Sequence, residues 1–77
     1  MAYKKRHEII GLAERLKELR KKLGLTQEKI ADRAGVKPRT IQRWENGSRT
    51  PDISSLACLC KLFDVSADYL LFGKEDN

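Results

Sequence analysis

These 77 residues contain little that can build a covalent or metal-centred site: two cysteines, Cys58 and Cys60, and a single histidine, His7. Two cysteines are too few for a disulfide scaffold, and without an export signal they fit a reducing cytosol, the expected location. The start, Met1 to Glu8, has basic residues but no apolar run behind them, so it does not read as a secretion signal. No apolar stretch exceeds a handful of residues, which excludes a helix across a membrane. No segment alternates apolar and polar residues over strand length, and there is no internal repeat or low-complexity tract. His7 has no nearby cysteine partner or serine nucleophile, and no glycine-rich phosphate loop follows a strand. Neither an enzyme, a metal site nor a cofactor is therefore expected. The length allows one small domain and no deep cleft between domains.

What is abundant is positive charge. The formal net charge is +5, a balance that points to an anionic partner. Residues 1–24 carry eight basic and three acidic side chains, residues 25–50 six and three, and residues 51–77 two and five. The basic excess therefore lies in the first fifty residues. A solvated surface with no partner usually mixes its signs more evenly. Charge alone does not separate nucleic acid from anionic lipid. That choice needs local features.

Gly24, Gly35 and Gly47 divide the chain into segments of helical length, as glycine does where a helix ends in the left-handed conformation. Ile9, Leu12, Leu16, Leu19 and Leu23 recur at spacings of three and four, giving one apolar stripe on a first helix. Lys21 and Lys22 suit its last turn. Thr26 can cap a second helix, Gln27 to Ala34, with Glu28 in its first turn. Lys29 stands where a glutamate would complete a capping box with Thr26. Pro38 suits the first position of a third helix reaching about Asn46. Asp52 caps a fourth helix with the stripe Ile53, Leu56, Leu59, Cys60 and Phe63, and Asp64 closes it in place of a glycine. Ser66 caps a short fifth helix ended by Gly73. Five helices on short connections make a compact all-α domain. The expected division is a basic arm over 1–8, the domain over 9–73 and a tail over 74–77.

The second and third helices form the informative unit. Two helices crossing steeply through a tight turn need a small residue where their backbones meet. They also need a glycine at the left-handed turn position and a branched apolar residue to fill the joint. Ala31, Gly35 and Ile41 meet those needs in order, within a helix-turn-helix over about 27–46. Their spacing alone is a weak signal. The flanks are stronger: Arg20-x-x-x-Gly24-Leu25-Thr26-Gln27-x-x-Ile30-Ala31, then Gly35-Val36-x-x-x-Thr40-Ile41-x-Arg43-Trp44-Glu45-x-Gly47, then Pro51-x-Ile53-x-x-Leu56. With Phe63-x-Val65-Ser66-x-Asp68-Tyr69-Leu70-Leu71-Phe72-Gly73, roughly residues 12–73 resemble the phage Cro/repressor-type, or XRE-like, helix-turn-helix family. The resemblance implies a five-helix domain that binds double-stranded operator DNA, usually as a homodimer.

With Ile41 and Trp44 facing inward, the third helix turns Pro38, Arg39, Gln42, Arg43 and Asn46 outward. In a major groove, arginine can bind guanine O6/N7 and glutamine adenine N6/N7, each with two hydrogen bonds. Arg39, Gln42 and Arg43 are the candidate base readers. Phosphate contacts are expected from the edges of the motif: Gln27, Lys37, Thr40, Asn46 and Arg49. Lys37 departs from the family's usual serine or threonine cap. It cannot accept the helix N–H bonds, so the departure should cost about 1 kcal/mol of local stability. The resemblance also implies that Arg20 and Glu45 pair as a partly buried ion pair between the first and third helices, apart from DNA.

Cys58 and Cys60 tempt a metal or redox reading, but residues two apart on a helix point about 200° apart. Cys60 fits a buried position beside Leu56 and Leu59, Cys58 the outer face. The basic run Tyr3 to His7 is either an arm reaching DNA or a disordered tail. The resemblance gives Tyr69, Leu70, Leu71 and Phe72 to a dimer interface; the alternative is closure of this chain's own core. The reading is a DNA-binding transcriptional regulator, a dimeric repressor, with no membrane contact. The rivals are an antitoxin-type protein that binds its operator and a toxin, and a protein-interaction module on the same fold with an unknown partner.

Overall fold

The computed structural model describes residues 9–74, and within them the elements run α1 (Leu12–Lys22), α2 (Gln27–Ala34), α3 (Pro38–Glu45), α4 (Ile53–Phe63) and α5 (Ala67–Phe72). The basic segment 1–8, with His7, and residues 75–77 lie outside the described residues.

Local chemistry accounts for most of the boundaries. Thr26 accepts a hydrogen bond from Lys29 N at 3.1 Å, Asp52 from Ser55 N at 2.8 Å and Ser66 from Tyr69 N at 3.0 Å. Each oxygen satisfies one of the amide groups that a helix start leaves without an intrahelical acceptor. At the other end of α2, Gly35 takes φ 70°, and Val36 N returns to Ala31 O at 2.9 Å. Asp64 reaches the same left-handed region at φ 55°, the single non-glycine residue described there. Aspartate tolerates that conformation better than most residues, because its short polar side chain can bond locally.

Lys37 is the exception among the caps. Its backbone has the extended geometry of an N-cap, φ −81° and ψ 151°, yet its side chain makes no capping bond. Lys37→Ser is therefore expected to stabilise the domain by about 1 kcal/mol, which thermal unfolding would register as a rise of roughly 4–8 °C.

The core forms where the inner faces of all five helices meet: Leu12, Leu16, Ile30, Ala31, Ile41, Trp44, Leu59, Phe63 and Leu70. Leu19, Leu25, Val36, Leu56 and Cys60 pack around it. The apolar stripes expected for α1 and α4 are each too long. Ile9 precedes α1 and Leu23 is its C-cap, and both are about half exposed. Ile53 is 86% exposed; it is the first residue of α4, before the helix has reached the core. Leu70 is 0% exposed and sits in this chain's own core, which matches the alternative of core closure for that residue. Tyr69, Leu71 and Phe72 around it are half-buried. Cys58 is half-buried too, with Sγ 3.8 Å from Arg33 O, rather than on the outer face.

Candidate nucleic-acid interface

The joint between α2 and α3 fixes the site. Ala31 and Ile41, at 1% and 2% exposure, fill the crossing. Gly35 turns the chain between them at φ 70°, where a Cβ would meet no neighbour and the left-handed backbone alone favours glycine. Because α3 buries Ile41 and Trp44, the 3.6-residue period turns Pro38, Arg39, Gln42, Arg43 and Asn46 to solvent, and all five are exposed. The candidate base readers Arg39, Gln42 and Arg43 thus share one open helix face.

The candidate phosphate contacts border that face. Lys37 is exposed at its start and Thr40 half-buried on its flank. Thr40, Arg43, Arg49 and Thr50 line one side of an open groove between α3 and the beginning of α4. The loop after α3 is held to its last turn, because Ser48 N and Arg49 N both donate to Arg43 O, at 3.1 and 3.3 Å. Asn46 Oδ1 accepts from Ser48 N at 2.9 Å, so the oxygen of that side chain serves the loop and its amide nitrogen is what can face a phosphate.

Gln27 stands apart from the others. It is the first residue of α2, and its Nε2 donates to Glu45 Oε1 at 3.0 Å. The same carboxylate receives Arg20 Nε at 2.6 Å on Oε2 and Arg20 Nη2 at 3.0 Å on Oε1. The two side chains are 12% and 5% exposed. Arg20 Nη1 also donates to Leu25 O at 2.9 Å, in the turn that leads into α2. Burial pushes the Glu45 carboxyl up, but the hydrogen bonds from Arg20 and Gln27 and the charges of Arg20 and Lys17 outweigh it and leave the group below its ordinary range. The bond to Glu45 raises the Arg20 guanidinium in turn.

Sequence reasoning missed one cation altogether. Arg15 Nε donates to Leu70 O at 3.0 Å, and its Nη2 donates to Ile10 O. Its guanidinium lies 6.0 Å from the centre of the Tyr69 ring. A Cβ added at Gly11 or Gly73 would come within 2.7 or 2.9 Å of Arg15 Nη1. Arg15 thus ties α5 to the chain entering α1, beside the backbone bond from Ile10 N to Leu71 O at 3.1 Å.

Elsewhere the chemistry is sparse. Among the described residues no group of three His, Cys, Asp or Glu is placed to hold a metal ion, and no helix is long and apolar enough to cross a membrane. Burial raises the Cys60 thiol above its usual range, as for a packing residue.

Two short helices joined through Gly35, with the second presenting a basic face to solvent, define a helix-turn-helix domain. The helix-turn-helix family model matches residues 16–70, and the chain belongs to that family. It is 42% identical over 62 residues to the HTH-type transcriptional activator BcrR of Enterococcus faecalis, covering 80% of this chain and 30% of that protein. Over 67 residues it is 39% identical to the HTH-type transcriptional regulator ImmR of Bacillus subtilis, covering 87% of this chain and 52% of that one. The chain therefore spans about a third to a half of these curated relatives. Among solved structures, the P22 c2 repressor in complex with a synthetic operator superposes with TM-score 0.79 at 35% identity, over 82% of this chain and 96% of that one. SinR in complex with DNA gives 0.71 at 31% identity, over 78% and 97%.

Proposed function

We propose that this chain is a sequence-specific, double-stranded-DNA-binding transcriptional regulator of the cytoplasm. It acts as a dimeric repressor on an operator with two half-sites, with α3 in the major groove. The observation that carries the reading is the shared exposure of Arg39, Gln42 and Arg43 on the face of α3 opposite Ile41 and Trp44. The likeness to the P22 c2 repressor, solved with an operator, supports it. Lys37, Thr40, Asn46, Arg49 and Gln27 hold backbone phosphates and set the register; they carry no sequence information of their own. Two copies place their recognition helices about 34 Å apart, one turn of the duplex. The half-buried Tyr69, Leu71 and Phe72 belong to the face through which the copies meet.

Selection of bound sequences from a random DNA pool tests the reading. A half-site repeated with two-fold symmetry at one-turn spacing is the expected result, and recovery of no preferred sequence would overturn it. Binding to the selected operator should weaken linearly in log–log form as salt rises. On that operator, Arg43→Ala should lose about 1–3 kcal/mol of discrimination at one base pair, whereas Lys37→Ala should weaken all sequences alike. Competition binding against single-base operator variants separates the two. Unchanged discrimination in the Arg43 variant removes that residue from base reading.

A further inference from the structure

We infer that Glu45 is a positioning residue for DNA binding: paired with Arg20, it orients the side-chain amide of Gln27 toward a backbone phosphate. The inference rests on the DNA-binding reading above and gives the ion pair a task beyond holding α1 to α3. Glutamine is a poor phosphate ligand when free, because three rotatable bonds must be ordered at the moment of binding. Gln27 Nε2 already donates one hydrogen to Glu45 Oε1 at 3.0 Å. The amide is planar and carries two hydrogens on that nitrogen, so fixing one fixes the direction of the other.

The carboxylate that does this would repel a phosphate if it were bare. Arg20 neutralises it through two bonds, at 2.6 and 3.0 Å. The third arginine bond, to Leu25 O at 2.9 Å, holds the turn immediately before α2. One ion pair thus fixes both the backbone that leads into α2 and the side chain of its first residue. Thr26 Oγ1 takes the Lys29 amide, while those of Gln27 and Glu28 lie ahead of the intrahelical ladder, where they can meet the same phosphate oxygen as the Gln27 side chain. Glu45 sits in the last turn of α3, so the bond also joins the phosphate-facing start of α2 to the base-reading helix.

A mutant cycle read as operator affinity tests this. Gln27→Met, which keeps the length and loses the amide, should bind the selected operator about tenfold more weakly. The salt slope should stay unchanged, since a neutral amide displaces no counterion. The paired replacement Arg20→Met with Glu45→Leu removes the carboxylate while filling the buried space, which commonly leaves a fold intact. It should lose the same tenfold, and adding Gln27→Met to it should then cost less than twofold. Full affinity of the paired replacement, or the same tenfold cost of Gln27→Met in both backgrounds, would overturn the inference.

A measurement on the unaltered chain stands beside the cycle in case the paired replacement does not fold. By NMR, one Gln27 Nε2 hydrogen should exchange slowly in the free protein and the second only after operator is added. Two freely exchanging hydrogens in the free protein, or no change on DNA, would also overturn it. If the unaltered chain selects no operator at all, the DNA-binding reading itself fails; if it selects one and the cycle is additive, only this inference does.

Discussion

Glu45→Ala is expected to bring the domain close to unfolding at room temperature. The carboxylate and the Arg20 guanidinium are 5% and 12% exposed and share two hydrogen bonds. Removing the acid leaves a buried cation without its partner and Gln27 Nε2 without its acceptor. Breaking one side of a buried pair typically costs about 3–5 kcal/mol, against a total of roughly 5–15 kcal/mol for a domain and less for a small one. At about 4–8 °C per kcal/mol, the thermal midpoint should fall by at least roughly 12 °C. An unchanged midpoint in a calorimetric scan would contradict the pairing.

The same residue sets an acid limit. Its folded carboxyl lies below the ordinary value of 4.5, so in acid the unfolded chain binds the proton first. The stability contributed by the pair is complete above about pH 4.5 and is lost as pH falls through the lowered folded value. Denaturant midpoints measured across that range should decline for the unaltered chain and decline less when Arg20→Met and Glu45→Leu are combined. Parallel curves would assign the acid response to other carboxylates.

Leu70→Ala is the second large effect, about 2–5 kcal/mol, and it discriminates between two places for one residue. A side chain that is 0% exposed in one copy stabilises that copy whether or not another is present. The loss in denaturant midpoint should therefore be the same at tenfold different protein concentrations. A loss that grows on dilution would move Leu70 into the contact between copies.

The sequence is most legible where chemistry is local. Thr26, Asp52 and Ser66 announce helix starts because each oxygen serves an amide three residues on, within its own turn. The outward face of α3 was readable for a similar reason: burying Ile41 and Trp44 leaves the basic residues no other side. Periodicity says less about where a stripe meets the core. Ile53 keeps the right spacing from Leu56 and is still 86% exposed, because the core reaches Leu56 but not the residue that opens α4. Arg15 was invisible because its partners are carbonyl oxygens of Ile10 and Leu70, which every residue type possesses. The crowding it imposes at Gly11 and Gly73 is visible only once the chain is folded. Likewise, the resemblance joined Arg20 to Glu45 but left out Gln27, eighteen residues from its acceptor.

The bond from Ile10 N to Leu71 O, 3.1 Å long, makes the domain almost a closed ring. Chain enters and leaves at neighbouring points, and Arg15 fastens both strands of that neck. Joining residue 9 to residue 74 by a short linker and opening the chain at an exposed turn should therefore give a circular permutant of the described domain with the same α2–α3 joint. Pulling residues 9 and 74 apart, in turn, would load Arg15 and the neck before tension reached α3.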